Sequence, residues 1–544
     1  MNEPVLRLDD CQVLVVDDSS VARQVCECLL REIGLKRVTC VGRMSDARAA
    51  VERNRYDIVL CDYHFENEHG TGQDLLEDWR RTRALSFMAV FIMITGESKY
   101  QRVAEAIETA LDDYLLKPFT ANTLSERIVV AYRRKVALAP IYLAIERRDY
   151  ARGIELCEAM LAVPGPYRLY AARLCVELYI KLGRIDDARR LLDEVCRSQA
   201  LPWARLGLVA LDIEDGDSQR ARRVLESLVA EHPEFVDAYD VLARAMFEQG
   251  DIAGATATMR RAVDITPSNA ARLQKLGWLA FLADDTAAAR EALGTALRAG
   301  NRSRNFDWHS LVLLMFVLYD TGDLREMRRV REQWQRLFRS HAESVRLRRL
   351  DRTIETIHAF ANRQFSAGVA QLRELAELLR RPEADFEFAC DIAALIARVT
   401  TTEIVLPDAP RWIELIGFRF CATRSTTEAL AALVRRHESH VRAIRGTHAT
   451  IAKRCQDAMA HLVTGSPLKT VEQLYDCARR TLNSKPLSMA RLVAARHRDS
   501  DEAVARLDAE IEKFQFRHCP PGPRIDLGLT THTRKVVAGT VIDN

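Results

Sequence analysis

From residue 148 to residue 367 one spacing recurs, and it leaves few folds open. A small or polar turn residue is followed five positions later by a small residue or methionine. The pairs are Arg148/Gly153, Gly183/Ala188, Gly216/Ala221, Gly250/Ala255, Asp284/Ala289, Gly322/Met327 and Asn362/Ala367. The turn residues lie 35, 33, 34, 34, 38 and 40 positions apart. A period in this range marks a stack of one supersecondary unit. Each unit is expected to be two antiparallel helices, with small residues where they cross. No unit can bury its apolar face alone, so several must stack. Glycine (23) and proline (16) are few for 544 residues, which suits long helices with short connections.

The first 135 residues follow another rule. Apolar runs alternate with amphipathic stretches. Strands are expected at Gln12–Val16, Val38–Val41, Asp57–Cys61, Ala89–Thr95 and Tyr114–Leu116. Helices are expected at Ser20–Glu32, Ser45–Arg53, Thr71–Arg83, Tyr100–Ala110 and Asn122–Arg134. This pattern predicts an α/β fold, a doubly wound five-stranded parallel sheet. Ligands in such sheets bind outside the carboxyl ends of the strands. Those ends carry Asp17, Asp18, Asp62, Thr95 and Lys117. Three carboxylates suit a hard divalent cation such as Mg²⁺. A hydroxyl and an ammonium beside them suit phosphoryl oxygens.

Four motifs here resemble the response-regulator receiver domain: VLVVDDS (Val13–Ser19), VLCDYHFENEHG (Val59–Gly70), MITGE (Met93–Glu97) and DDYLLKPF (Asp112–Phe119). The resemblance implies that Asp62 accepts a phosphoryl group from a histidine kinase or phosphotransfer protein. It implies Mg²⁺ held by Asp17, Asp18, Asp62 and the backbone carbonyl of His64. Thr95 would bond the aspartyl phosphate, Lys117 would pair with it, the Lys117–Pro118 bond would be cis, and Tyr114 would be the aromatic switch. The switched face would serve dimerisation or contact with the array. Two departures stand out. Tyr63-His64-Phe65 replaces the usual Met-Pro stretch, with Gly70 at the usual distance, and Gly96 follows the threonine.

The repeat in turn resembles the tetratricopeptide (TPR) repeat, whose period is 34 residues. In Val236–Asn269 the residues Tyr239, Leu242, Ala243, Met246, Gly250, Ala255, Met259, Ala262 and Pro267 match its signature. Four strong units are expected over 169–303, with weaker ones on either side. The resemblance implies an all-α solenoid that holds peptides or partner helices. Arg205, Tyr239, Arg272 and Lys275 lie on first helices, where the concave groove is one place for them, and solvated helix face is the preferred reading. The expected organisation is 1–135 receiver, 136–382 TPR-like array, 383–519 a helical region of unassigned type and 520–544 a tail.

In the C-terminal region Phe386–Thr400, Ser425–Val463, Lys469–Leu482 and Glu502–Phe516 read as helices. His437, His440 and His448 are read as solvated helix face, because no ligand set completes a metal site. There is no phosphate-binding glycine loop, no Gly-x-Ser-x-Gly elbow and no GGDEF sequence, so no enzyme is expected. The longest apolar run, Leu311–Tyr319, is too short for a membrane span. The polar start and the thirteen scattered cysteines point to the cytoplasm and free thiols. Residues 1–130 carry 16 basic and 22 acidic residues, a net of −6, and the remainder carries +9. That basic body alone supports the rival reading, a DNA-binding regulator with its reader in 383–519. The total of +3 gives no reason to expect nucleic acid. The expected function is a two-component response regulator whose phosphorylation switches protein contacts of the array.

Overall fold

The computed structural model describes residues 10–65, 71–96, 112–267, 269–300, 306–339, 343–402, 404–463, 465–499 and 501–519. Near the N-terminus β1 (Gln12–Val16), β2 (Arg37–Val41), β3 (Ile58–Asp62), β4 (Val90–Thr95) and β5 (Asp113–Leu116) form one sheet. Their order is β2-β1-β3-β4-β5, and every pairing is parallel. β1, β3 and β4 are apolar runs buried on both faces, as a parallel sheet covered by helices requires. Leu14, Val16, Phe91 and Met93 pack with Leu76 and Trp79 on one side. Val13, Val15, Ile92 and Ile94 pack with Leu30 and Ile128 on the other. β2 and β3 flank β1 on opposite sides. This topological switch point opens a crevice at the carboxyl ends.

The expected helix at Tyr100–Ala110 lies outside the described residues, as does the tail from Pro520. The helix expected at Asn122–Arg134 is the first half of a longer one, Ala121–Glu146. Thr120 caps its start by accepting from the Thr123 N–H. No glycine or asparagine stops it near residue 135, and the apolar stripe continues through Leu138, Ile141 and Ile145. Position 135 therefore falls inside one helix shared by the α/β unit and the array.

Seven helix pairs follow. Ala121–Glu146 pairs with Tyr150–Leu161, Arg168–Lys181 with Ile185–Ser198, and Pro202–Glu214 with Ser218–Glu231. Val236–Glu248 pairs with Ile252–Ile265 and Ala270–Leu282 with Thr286–Gly300. His309–Thr321 pairs with Leu324–Phe338 and Val345–Ala361 with Phe365–Leu378. Arg148, Gly183, Gly216, Gly250, Asp284 and Gly322 all take positive φ, the left-handed stop that ends a helix. In five turns the next residue is an aspartate that caps the second helix: Asp149, Asp217, Asp251, Asp285 and Asp323. The seventh pair corrects the sequence reading by one position. Arg363, not Asn362, takes the positive φ. Gly368 is the buried crossing residue, and Ala367 is exposed. A Cβ on Gly368 would lie 2.9 Å from the Phe360 ring.

Glu177, on the first helix of the second pair, is a buried carboxyl. Neither oxygen has a hydrogen-bond partner among the described residues, and Arg173 stands 3.8 Å away. Burial raises its pKa from 4.5 to about 8, Arg173 opposing only in part. Between these values the unfolded chain is ionised while the folded protein holds the proton, so stability falls as pH rises. Glu177→Gln is expected to stabilise the protein by about 2–4 kcal/mol at pH 8 and to change little below pH 4. Thermal unfolding at the two pH values checks this.

The C-terminal helices are Phe386–Thr400, Ala409–Phe420, Arg424–Leu433, Glu438–Val463, Pro467–Thr481, Ser484–His497 and Glu502–His518. The apolar core of the array continues from Leu206 to Ile444. A second core spans Ile451 to Cys519. Arg424–Leu433 turns back onto the first helices of the fourth and fifth pairs. There Ser425 Oγ donates to Glu248 (2.8 Å) and Arg435 donates to the Leu282 carbonyl. Arg398 lies over Phe281 and Phe316 and makes two bonds to Asp320, at 2.9 and 2.6 Å. His309 Nε2 stands 2.8 Å from Asp391 Oδ1, both side chains buried. Arg346 joins Asp307 and Glu387 beside them.

Two readings need correction here, and one helix was not foreseen. Ser425–Val463 is two helices, broken at 434–437. Ser484–His497, to which no element was assigned from the sequence, is a helix although it contains Pro486, because in the first turn a missing N–H breaks no helical bond. The histidines are not a solvated face. His440 is buried, His437 contacts Thr400 Oγ1 (2.8 Å), and His448 contacts the Cys421 carbonyl (3.1 Å). Among the described residues no helix is long and apolar enough to cross a membrane.

Candidate functional site

At the carboxyl end of the sheet the strand-end side chains meet. Carboxylate oxygens of Asp17, Asp18 and Asp62 all lie within 4.8 Å of one another. Lys117 Nζ, just past β5, is 2.7 Å from Asp17 Oδ2 and 3.1 Å from Asp62 Oδ2. Thr95, the buried last residue of β4, accepts from the Lys117 N–H through its carbonyl (2.8 Å). The Lys117–Pro118 bond is cis.

The acid pair is held from behind. Arg23 Nη1 donates to the carbonyls of Asp17 (2.6 Å) and Asp18 (3.0 Å). Gly42 makes room for that guanidinium, since a Cβ there would lie 2.8 Å from Nη1. The Ser19 N–H donates to Asp17 Oδ1 (2.9 Å). The sequence reading missed Arg23 and Gly42, because Arg23 lies on a helix and Gly42, just past β2, carries no side chain to mark it. It named Gly70, a residue outside those described. The close approach is made by Gly72, where a Cβ would stand 2.3 Å from the Asp62 carbonyl. Gly72→Ala is therefore expected to push β3 and the helix Gly72–Thr82 apart and to lower the thermal stability of the unit by about 1–3 kcal/mol.

Electrostatics sets the character of the site. Burial raises the pKa of Asp62, Lys117 lowers it, and Asp17 raises it again. Burial pulls the Lys117 ammonium down, but its bond to Asp17 and the charges of Asp62 and Asp17 carry it above its ordinary value. Three carboxylates face one ammonium, a donor set that fits a hard divalent cation. His64 lies two residues past Asp62, in a short bridge with Thr71. Tyr114 on β5 is level with Met93 of β4. It packs on the core, and burial pushes its hydroxyl pKa up.

Residues 13–129 match the response regulator receiver domain. Chemotaxis protein CheY-3 of Vibrio cholerae is 31% identical over 123 residues, 23% of this chain and 92% of that protein. The chain belongs to the response-regulator receiver family. Chemotaxis protein CheY of Pseudomonas aeruginosa is 30% identical over 123 residues, 23% of this chain and 97% of its own. A receiver-domain structure from Clostridium thermocellum is 28% identical, covering 24% of this chain and 98% of that one, with a TM-score of 0.21. Tetratricopeptide repeat models match residues 169–194 and 212–277. A receiver thus precedes a TPR-bearing helical array, an architecture typical of signalling proteins without catalytic domains.

The array residues read as solvated are mostly engaged within the array. Arg205 bonds Glu231 (2.5 Å). Tyr239 is buried and donates to the Pro233 carbonyl (3.0 Å). Arg272 is buried between Asp237 (2.8 Å) and Asp240 (2.9 Å), with Lys275 at 3.7 Å from Asp240.

Proposed function

We propose that the protein is a two-component response regulator in which phosphorylation of Asp62 switches protein contacts of the TPR array. The single observation that carries this reading is the Lys117 ammonium bonded to both Asp17 and Asp62 where the strands end. In it a carboxylate oxygen of Asp62 attacks the phosphorus of a phosphohistidine on a kinase or phosphotransfer protein, and the imidazole leaves. Asp17, Asp18, Asp62 and the His64 carbonyl would hold Mg²⁺. When bound, that ion neutralises charge on the transferring group. Lys117 then exchanges a carboxylate partner for phosphoryl oxygens. The Thr95 hydroxyl turns toward the phosphate and Tyr114 follows. The added charge of about −1.5 to −2 is local, and its readout is a shifted two-state equilibrium.

The output follows from the array. Arg424–Leu433 occupies the first helices of the fourth and fifth pairs, so a partner engages other surfaces of the solenoid. Dimerisation through the receiver is the second output this reading allows. The reading places the protein in the cytoplasm, where phosphodonors and Mg²⁺ are available. Capture of partners by the full chain, with and without beryllofluoride and Mg²⁺, tests the switch. A partner set that changes with beryllofluoride supports it, and identical sets refute it. Chelating Mg²⁺ is expected to abolish phosphoryl uptake, and restoring the ion to recover it.

A further inference from the structure

The receiver and the array share more than the helix Ala121–Glu146. Lys135 Nζ donates to the Phe87 carbonyl (2.7 Å) and lies 3.0 Å from Asp112 Oδ1, with both charged side chains buried. Arg134 reaches the carbonyl and carboxylate of Asp112. It also donates to the Tyr170 hydroxyl (3.0 Å), with its guanidinium 4.6 Å from that ring. Glu146 Oε1 accepts from the Phe87 N–H (2.9 Å) and from Ser86 Oγ (3.0 Å). Phe87 stacks on Tyr142 and joins the apolar core of the first two helix pairs. Burial pulls the Lys135 ammonium down to about 8 against the charge of Asp112.

The position of Asp112 gives these contacts a direction. It immediately precedes β5, a strand of four residues whose far end carries Lys117. Its Oδ2 accepts from the Phe91 N–H (2.8 Å). Phe91 is the second residue of β4, a strand of six whose far end is Thr95. The two strands that carry the phosphate-sensing groups are therefore tied, at their opposite ends, to one carboxylate. That carboxylate holds the first helix of the array. Pro140, one and a half turns beyond Lys135, removes a helical hydrogen bond and leaves a weak turn just past the clamp.

We propose that the clamp of Asp112 with Lys135 and Arg134 carries the phosphorylation signal within one chain, from β4 and β5 into the first two helix pairs. This rests on the Asp62 reading above. Movement of Thr95 and Lys117 toward a phosphoryl group shifts β4 and β5. The shift is felt at Asp112, and the array half of Ala121–Glu146 answers by changing its packing on Arg168–Lys181.

Hydrogen exchange on the full chain, with and without beryllofluoride and Mg²⁺, tests it. In the unmodified protein exchange is expected to change around Asp62 and also over residues 136–181. The double variant D112N/K135M removes the buried Asp112–Lys135 pair together and leaves Arg134 its bonds to the Asp112 carbonyl and the Tyr170 hydroxyl. It is expected to keep the change around Asp62 and to lose the change over 136–181. Arg134→Gln, a milder variant that severs the Tyr170 link, is expected to shrink the change over 136–181 and keeps the test open if the double variant fails to fold. The proposal is overturned if the unmodified protein shows no change beyond residue 135, or if both variants keep the full change there. No change around Asp62 in the unmodified protein overturns the acceptor reading, and this proposal with it.

Discussion

Asp62→Ala is expected to reduce phosphoryl incorporation from a small phosphodonor to the assay background, with the fold intact. Asp62 ends β3 in the crevice at the switch point, bonded to Lys117 and beside the other two acids. Removing the attacking oxygen removes the bond that would form, so no neighbour compensates. The surrounding positions should grade. Lys117→Ala loses the ammonium that would meet the transferring oxygens, and a loss of about 100-fold in rate is expected. Asp17→Asn and Asp18→Asn remove charge from the cation site. Their deficit should shrink as Mg²⁺ is raised, which separates an ion-binding role from a role in the transfer itself. Thr95→Ala should still be labelled but should lose the change in partner binding. Labelling that persists in Asp62→Ala refutes the acceptor assignment.

His309→Leu is expected to cost about 3–5 kcal/mol of stability, because it strands a buried carboxylate. Asp391 is 1% exposed and receives its hydrogen bond from His309. Burial lowers the imidazole pKa, but Asp391 first, then Glu387 and Asp307, outweigh it and hold it at about 10. The sign of the pH dependence follows. The histidine contributes its full stabilisation below its unfolded pKa of 6.5, and that contribution is lost as pH rises through about 10. Denaturant unfolding near pH 6 should therefore show the largest difference from the unmodified protein. The double variant His309→Leu with Asp391→Leu should recover much of the loss, since no charge is then left unpaired. Equal losses in the single and double variants would mean that the site depends on shape and not on charge.

The receiver was legible because its signals are local. A buried parallel strand reads as an apolar run, and the polar residue at its end marks the crevice. The pairs Gly216–Asp217 and Gly250–Asp251 likewise announce a left-handed stop followed by a cap. Where the same geometry is made by Arg363, neither a glycine nor a following capping aspartate marks it, and the seventh pair is read one residue out. Arg23 and Gly42 were not legible, because their importance lies in a contact between a helix and the end of β2. The return of Arg424–Leu433 onto the fourth and fifth pairs brings together residues some 180 positions apart, as Ser425 and Glu248 show. Helical periodicity says which face is apolar, but not which partner covers it. The same holds for Arg272. A charged residue on a first helix reads as solvated until Asp237 and Asp240 of the preceding pair are found beside it.

The central claim is that this chain is phosphorylated on Asp62. Its most direct test is to label the full chain with a small phosphodonor and Mg²⁺, reduce the acyl phosphate with borohydride, and locate the modified residue by mass spectrometry. The proposed function predicts modification at residue 62 alone, abolished when Mg²⁺ is chelated. Modification at another residue with Asp62 untouched would contradict it.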